Sequence, residues 1–255
     1  MNDLEKYYNK FNEDKRLLSR HGQVEFFVAT EYIQKYINGR KNLKILDIGA
    51  GTGRYSAFFA EQGHSVTAVE LVKKNVSQIK EKNASIVVKQ GNALNLKLED
   101  NQFDITLLFG PMYHLQTKEQ KVQALKEALR VTQKDGFILV MYLMNDYAVI
   151  TYAFKEGHLL ESLKNNKLDT NFQTQLSEED LYSYVRLEQI NEINQLSNAN
   201  RTEIISVDGP TDYIRPTINK MTELEFEVYK KYVLSISQRP ELLGASSHVL
   251  DVLKK

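Results

Sequence analysis

"LKILDIGAGTGRYS", residues 43–56, is the stretch on which the fold turns. Leu43, Ile45, Leu46 and Ile48 crowd together and stop at Gly49, as a buried strand does when it ends in a turn. Glycine recurs at 49, 51 and 53, where it lets the backbone bend sharply and lets a ligand approach the main chain. "RYSAFFAEQG" (54–63) then reads as a helix closed by Gly63. Strand, glycine turn and helix in immediate succession form the repeating unit of open α/β sheets. Such sheets bind ligands at the carboxyl ends of their strands.

The same rhythm extends outward. "VEFFVATEYIQKYI" (24–37) has apolar residues at helical spacing and is ended by "NGR" (38–40). Downstream, "HSVTAVE" (64–70), "SIVVKQG" (85–91), "FDITLLFG" (103–110) and "GFILVMYL" (136–143) read as strands. "KKNVSQIKEKN" (73–83) and "KEQKVQALKEALRVT" (118–132) read as helices between them. Strands alternating with helices imply right-handed crossovers and a mostly parallel sheet covered on both faces. After about residue 145 the pattern changes. A helical stretch (146–166), a polar stretch (166–181), a strand at "LYSYV" (181–185) and a helix at 186–200 are expected there. Strands at 201–209 and 246–254, flanking a helix at 223–237, complete the reading. The expectation is an α/β, Rossmann-like, seven-stranded and mostly parallel sheet. Residues 1–40 form an N-terminal helical segment over the ligand site, 41–145 the binding core, 146–200 a substrate-side cap, and 201–255 the completion of the sheet.

Composition narrows the function. Lys plus Arg and Asp plus Glu are both 33, so the formal net charge is zero and no nucleic-acid partner is expected. The chain has no Cys, which removes disulfides, thiolate nucleophiles and Cys-based zinc sites. "MNDLEKYYNKFNEDKRLL" (1–18) lacks the apolar stretch of a signal peptide, and no run approaches the roughly 20 apolar residues of a membrane span. A cytoplasmic protein without a membrane partner, monomeric or homodimeric, is expected. No spacing groups His with carboxylates as a metal site does, so no metal is expected. His64 and His158 read as surface residues, and His248, within the last strand, as structural.

A dinucleotide fingerprint, G-x-G-x-x-G, would place its last glycine where Arg54 stands. Here the third glycine comes one residue earlier, and Asp47 precedes the first glycine by two. This D-x-G-x-G-x-G pattern resembles motif I of the class I S-adenosylmethionine-dependent methyltransferases. The resemblance implies that Gly49, Ala50, Gly51 and Gly53 wrap the methionine part of the cofactor, with Asp47 helping to fix its amino group. Glu70 ends the second strand, where a carboxylate can accept from both ribose hydroxyls. Asn92 stands where the family often has an acid against the adenine amino group, and Leu71 and Ala93 are candidate walls of the adenine site.

In that family the end of the fourth strand faces the transferable methyl group, and Phe109 and Gly110 fall there. "GPMYHL" (110–115) keeps only one proline and the aromatic of the acid- or amide-Pro-Pro-aromatic motif of the amino-group methyltransferases. It resembles more closely the GPLYHL-like segment of a bacterial group of methyltransferases with unassigned substrate. "RLLSRHGQVEF" (16–26) and "RPELLGASSHVLDVLKK" (239–255) are similar to the ends of that group too. His114 has a side chain suited to taking a proton at neutral pH, and Tyr113 is a further catalytic candidate or pocket wall. Tyr7, Tyr8 and Phe11 are candidates to fold over the cofactor, and Arg20–His21 to reach its carboxylate or the substrate. The expected function is methyl transfer from S-adenosylmethionine to a small-molecule acceptor by in-line displacement, leaving S-adenosylhomocysteine. A nicotinamide-dependent oxidoreductase and a noncatalytic cofactor-binding regulatory module are the alternatives.

Overall fold

The computed structural model describes residues 18–177 and 180–255. Seven strands lie side by side in the order β3-β2-β1-β4-β5-β8-β7. In chain order they are β1 (Lys44–Ile48), β2 (Ser65–Glu70), β3 (Val87–Gln90), β4 (Phe103–Leu108), β5 (Thr132–Met144), β7 (Asn200–Ser206) and β8 (His248–Lys254). A two-residue strand, β6 (Tyr184–Val185), pairs in parallel with Leu143 and Met144 at the end of β5. Only β8 runs against its neighbours, antiparallel to β5 and to β7. The expected Rossmann-like, mostly parallel sheet is therefore present, with helices on both faces.

Helices α1 (Arg20–Ile37) and α2 (Arg54–Glu61) cover one face, where Val28, Ile33 and Phe59 pack on Ile45, Leu107 and Leu139. A late helix, Glu223–Ile236, adds Phe226 and Val233 to the same core. The opposite face is covered by Lys118–Val131 and Leu187–Ser197, whose Leu125, Ala128 and Ile193 meet Ile48, Val140 and Tyr142. Part of 146–200 thus lies on the sheet itself.

Local chemistry sets the element ends. Ser19 caps α1, its hydroxyl accepting from the Gly22 N–H, and Asn38 ends it in the left-handed region at φ 49°. Thr117 opens Lys118–Val131 with a capping box to Gln120. The stretch 146–166, expected as one helix, is instead a helical turn (Asn145–Ala148), a π-helix (Val149–Lys155) and a short helix (Leu159–Lys164), broken at Gly157 with φ +81°. His64 is buried rather than exposed, accepting the Leu43 N–H at 3.3 Å; burial also lowers its pKa. Among the described residues no helix is long and apolar enough to cross a membrane.

Candidate functional site

The chain leaves β1 toward β2 and β3 on one side, then returns to β4 and β5 on the other. The strand order therefore reverses between β1 and β4, which pair directly through Asp47 with Leu107 and Ile48 with Leu108. A cavity of about 460 Å³ opens at their carboxyl ends, within the usual size of a small-molecule site.

One wall is the glycine turn. Gly49, Gly51 and Gly53 all sit at positive φ, at 74°, 56° and 82°. A Cβ on Gly49 would lie 2.4 Å from Cδ of Pro111, and one on Gly110 would lie 2.8 Å from the Gly49 carbonyl oxygen. The two loops interlock so closely that only bare backbone fits. Glu70, at the end of β2, holds the turn in place: its carboxylate accepts the Gly51 N–H at 2.9 Å and the Val72 N–H at 2.8 Å. Burial raises its pKa, opposed by those backbone bonds. Asp47 is 2% exposed and accepts the Ser56 hydroxyl at 2.6 Å. Burial pushes its carboxyl up to about 6; the Ser56 bond opposes that, and nearby Glu70 adds to it. Asn92 also faces the cavity, but its amide oxygen already accepts the Leu94 N–H at 2.9 Å, closing a local turn. A carbonyl oxygen has a second lone pair, so an adenine contact remains open to it.

The other wall is the turn after β4. Gly110–Tyr113 forms a single 3₁₀ turn, followed by His114. The rings of Tyr113, His114 and Tyr182 cluster, with centroids 4.9 Å apart for Tyr113–His114 and 5.1 Å for His114–Tyr182. His114 donates Nδ1–H to the Leu181 carbonyl at 2.8 Å, because a carbonyl can only accept. Burial lowers its pKa to about 4, so the ring is neutral at physiological pH and its proton affinity is low for a general base.

The expected residues largely converge. Asp47, Gly49, Ala50, Gly51, Glu70, Leu71, Asn92, Ala93, Phe109, Gly110, Tyr113 and His114 all line this cavity. Gly53 stands just behind it as the first cap of α2. Arg20 does not reach it. Its guanidinium is held by the carbonyls of Ile218 and Met221 at 2.9 and 2.6 Å and by Glu223 at 2.6 Å, and it lies over the Phe226 ring. Tyr8, with Tyr7 and Phe11, lies outside the described residues.

Sequence reasoning missed Glu25, which reaches the cavity from α1. A signal was present: Glu25 stands in register with Ala29, Ile33 and Ile37, a lone acid on the buried stripe. Glu25, Asp208 and His248 also bring three possible metal-ligand atoms within 4.8 Å of one another. They come from three distant segments, which no sequence spacing reveals.

Comparison with known proteins bears on the domain and the fold. Residues 46–140 match the family model described as a methyltransferase domain. An uncharacterized methyltransferase of Schizosaccharomyces pombe is 26% identical over 141 residues, 55% of this chain and 54% of that one. The demethylmenaquinone methyltransferase of Paenarthrobacter aurescens is 35% identical over 98 residues, 38% of this chain and 37% of that one. The chain thus covers about half or less of these relatives' lengths. A solved S-adenosylmethionine-dependent methyltransferase of Methanosarcina mazei superposes with a TM-score of 0.59 at 15% identity, covering 88% of this chain and 96% of that one. At that identity the likeness is one of fold.

Proposed function

We propose, for a chain whose residues 46–140 match a methyltransferase domain, a class I S-adenosylmethionine-dependent enzyme that methylates a small-molecule acceptor and releases S-adenosylhomocysteine. The observation that carries this reading is the cavity at the carboxyl ends of β1 and β4, lined by the Gly49–Gly51 turn, buried Glu70 and the turn from Gly110 to Tyr113. When bound, S-adenosylmethionine supplies an electrophilic methyl carbon on a sulfonium sulfur.

In this reading the chain's own residues bind, orient and exclude water. The turn from Gly49 to Gly53 presents bare backbone to the amino-acid part, and Asp47 accepts from its ammonium. Glu70 keeps a lone pair on Oε2, beside the Gly51 N–H, for a ribose hydroxyl, while Oε1 accepts from the Val72 N–H and the Asn75 amide. Asn92 faces the adenine amino group, and Leu71 and Ala93 flank the ring. Phe109 and Gly110 bring the end of β4 close, and Tyr113 and His114 close the acceptor side against water. His114, neutral and tied to Leu181, shapes this wall rather than storing a proton. Even charge and a cavity of about 460 Å³ favour a small acceptor over nucleic acid, and the cytoplasm is the proposed setting.

Isothermal titration with S-adenosylmethionine and S-adenosylhomocysteine tests the reading. One-to-one binding of both, with no binding of NADH, is expected. A folded protein that binds neither would sink it.

A further inference from the structure

A second cavity, of about 230 Å³, adjoins the main one, and Gln116 lines both. It lies between the first turns of the helices Lys118–Val131 and Leu187–Ser197, beside β6 and the stretch 173–176. Lys118 and Glu192, each about half exposed, pair at 2.6 Å at its mouth. Lys121 and Ser183 form its floor, 2% and 4% exposed. Lys121 Nζ donates to the Leu115 carbonyl and, at 2.9 Å, to the Ser183 hydroxyl, which uses two of its three N–H groups. Among the described residues no acid pairs with it, and burial alone acts on its pKa, which falls to about 8. The Ser183 hydroxyl accepts from Lys121, so its own proton stays available to donate. Thr174, also on the lining, has a buried hydroxyl bonded to nothing among the described residues.

These groups leave an excess of donors and a single unmatched positive charge. Lys118 and Glu192 neutralise one another, so Lys121 alone sets the charge of the lining. A buried cation without a counter-ion is costly, and neutral acceptors offset only part of that cost. Both helices begin here, and their dipoles add to the positive potential. A phosphate dianion overshoots this charge, whereas a monoanion matches it. Leu176, Val185 and Ile193 complete the lining with apolar side chains. The volume is below the roughly 300–1,000 Å³ of ordinary small-molecule sites, so only a short ligand fits.

We propose that this cavity is a second ligand site, for a short-chain monocarboxylate. Its head accepts from the third N–H of Lys121 and from the hydroxyls of Ser183 and Thr174. Its tail lies on Leu176, Val185 and Ile193. The same floor supports the turn after β4. Lys121 holds the Leu115 carbonyl, the Ser183 N–H donates to the Tyr113 carbonyl at 2.8 Å, and both Tyr113 and Leu115 line the main cavity. A bound carboxylate fixes Lys121 and Ser183 in place and so steadies the acceptor-side wall. A small acid thereby acts on the main cavity without entering it.

The test is thermal unfolding of the full chain in sodium acetate or butyrate, with sodium chloride holding the ionic strength constant. The readouts need neither cofactor nor methyl acceptor. Butyrate should raise the melting temperature along a saturable curve, with apparent affinity about tenfold above that of acetate, since two more CH₂ groups are covered. Thr174→Val and Ser183→Ala should each weaken butyrate binding about tenfold. In chloride alone Thr174→Val should be no less stable than the unaltered protein, because its hydroxyl has no bond to lose. Absence of saturable stabilisation by either acid overturns the proposal, as does equal stabilisation by chloride or phosphate. Butyrate binding that survives both substitutions lies elsewhere and overturns it as well. Equal affinity for acetate and butyrate overturns the tail contact. Lys121→Met should abolish the effect; if that variant fails to fold, the two hydroxyl variants still decide. Hydrogen exchange of the Ser183 amide should slow about threefold or more with butyrate bound. Unchanged exchange there overturns the support of the acceptor-side wall.

Discussion

Gly49 shows how much can hang on a missing side chain. Its φ of +74° is strained for any L residue, and its Cβ would collide with Pro111. Gly49→Ala should therefore lower stability by about 1–3 kcal/mol and weaken S-adenosylhomocysteine binding about tenfold or more. Gly39→Ala is the control, because φ is +69° there but nothing lies within 4 Å. It should cost only the backbone strain, about 1 kcal/mol, and leave affinity alone. Denaturant melts and titration calorimetry separate the two, and unchanged binding in Gly49→Ala would remove the interlock from the site. The glycines were legible in sequence because their spacing reports a local backbone need. Their collision partner was not, since Pro111 arrives from another strand. Arg20 shows the converse: it was a candidate to reach the cofactor carboxylate or the substrate, but the carbonyls of Ile218 and Met221 capture it first.

At the scale of elements, the turn after β4 is sewn to the segment before β6 by a seam of polar contacts. His114 donates to Leu181, Gln116 Nε2 to the Asp180 carbonyl at 2.8 Å, and the Ser183 N–H to the Tyr113 carbonyl at 2.8 Å. Lys121 completes the seam: its Nζ donates to the Leu115 carbonyl and, at 2.9 Å, to the Ser183 hydroxyl. It is 2% exposed, and burial lowers its pKa to about 8. Lys121→Met keeps the length of the side chain and loses both bonds. Acceptor turnover should fall about tenfold while cofactor affinity stays within about twofold, because the cofactor wall is made by other loops. Equal losses in turnover and affinity would show that the seam supports the whole cavity. None of this was legible beforehand. Hydrophobic periodicity located the helix at 118–132 and the strand "LYSYV", but it carries no information on which carbonyl a buried lysine finds. The same limit explains 146–166, where the apolar spacing suits α- and π-helical turns alike and only the hydrogen bonds distinguish them.

For the whole molecule, alternating strands and helices made the parallel sheet legible, whereas the reversal of β8 was not, since strand direction depends on how long connections return. Acids from distant segments, Asp47, Glu70 and Asp208 among them, are buried in the folded chain, and their burial should be visible in the pH dependence of stability. Asp47 is the sharpest case, its carboxyl raised from 3.8 to about 6, first by burial. Between those values the folded protein keeps a proton that the unfolded chain has lost. The stability this provides is complete below the unfolded pKa and disappears as pH rises through the folded one. The gap between the two values is worth about 3 kcal/mol. Glu70, also raised, acts in the same direction, while lowered groups such as Glu203 act against it, so the total curve is mixed. Asp47→Asn isolates the contribution: relative to the unaltered protein it should gain about 3 kcal/mol between about pH 4 and pH 7 in urea melts. Cofactor binding should then run the other way. An ammonium at Asp47 requires the ionised carboxylate, so affinity for S-adenosylmethionine should rise with pH through about 6 in the unaltered protein and lose that rise in Asp47→Asn. A stability difference that does not vary with pH would mean that Asp47 is ionised in the folded protein throughout, and the cofactor's ammonium would then gain nothing from releasing its proton.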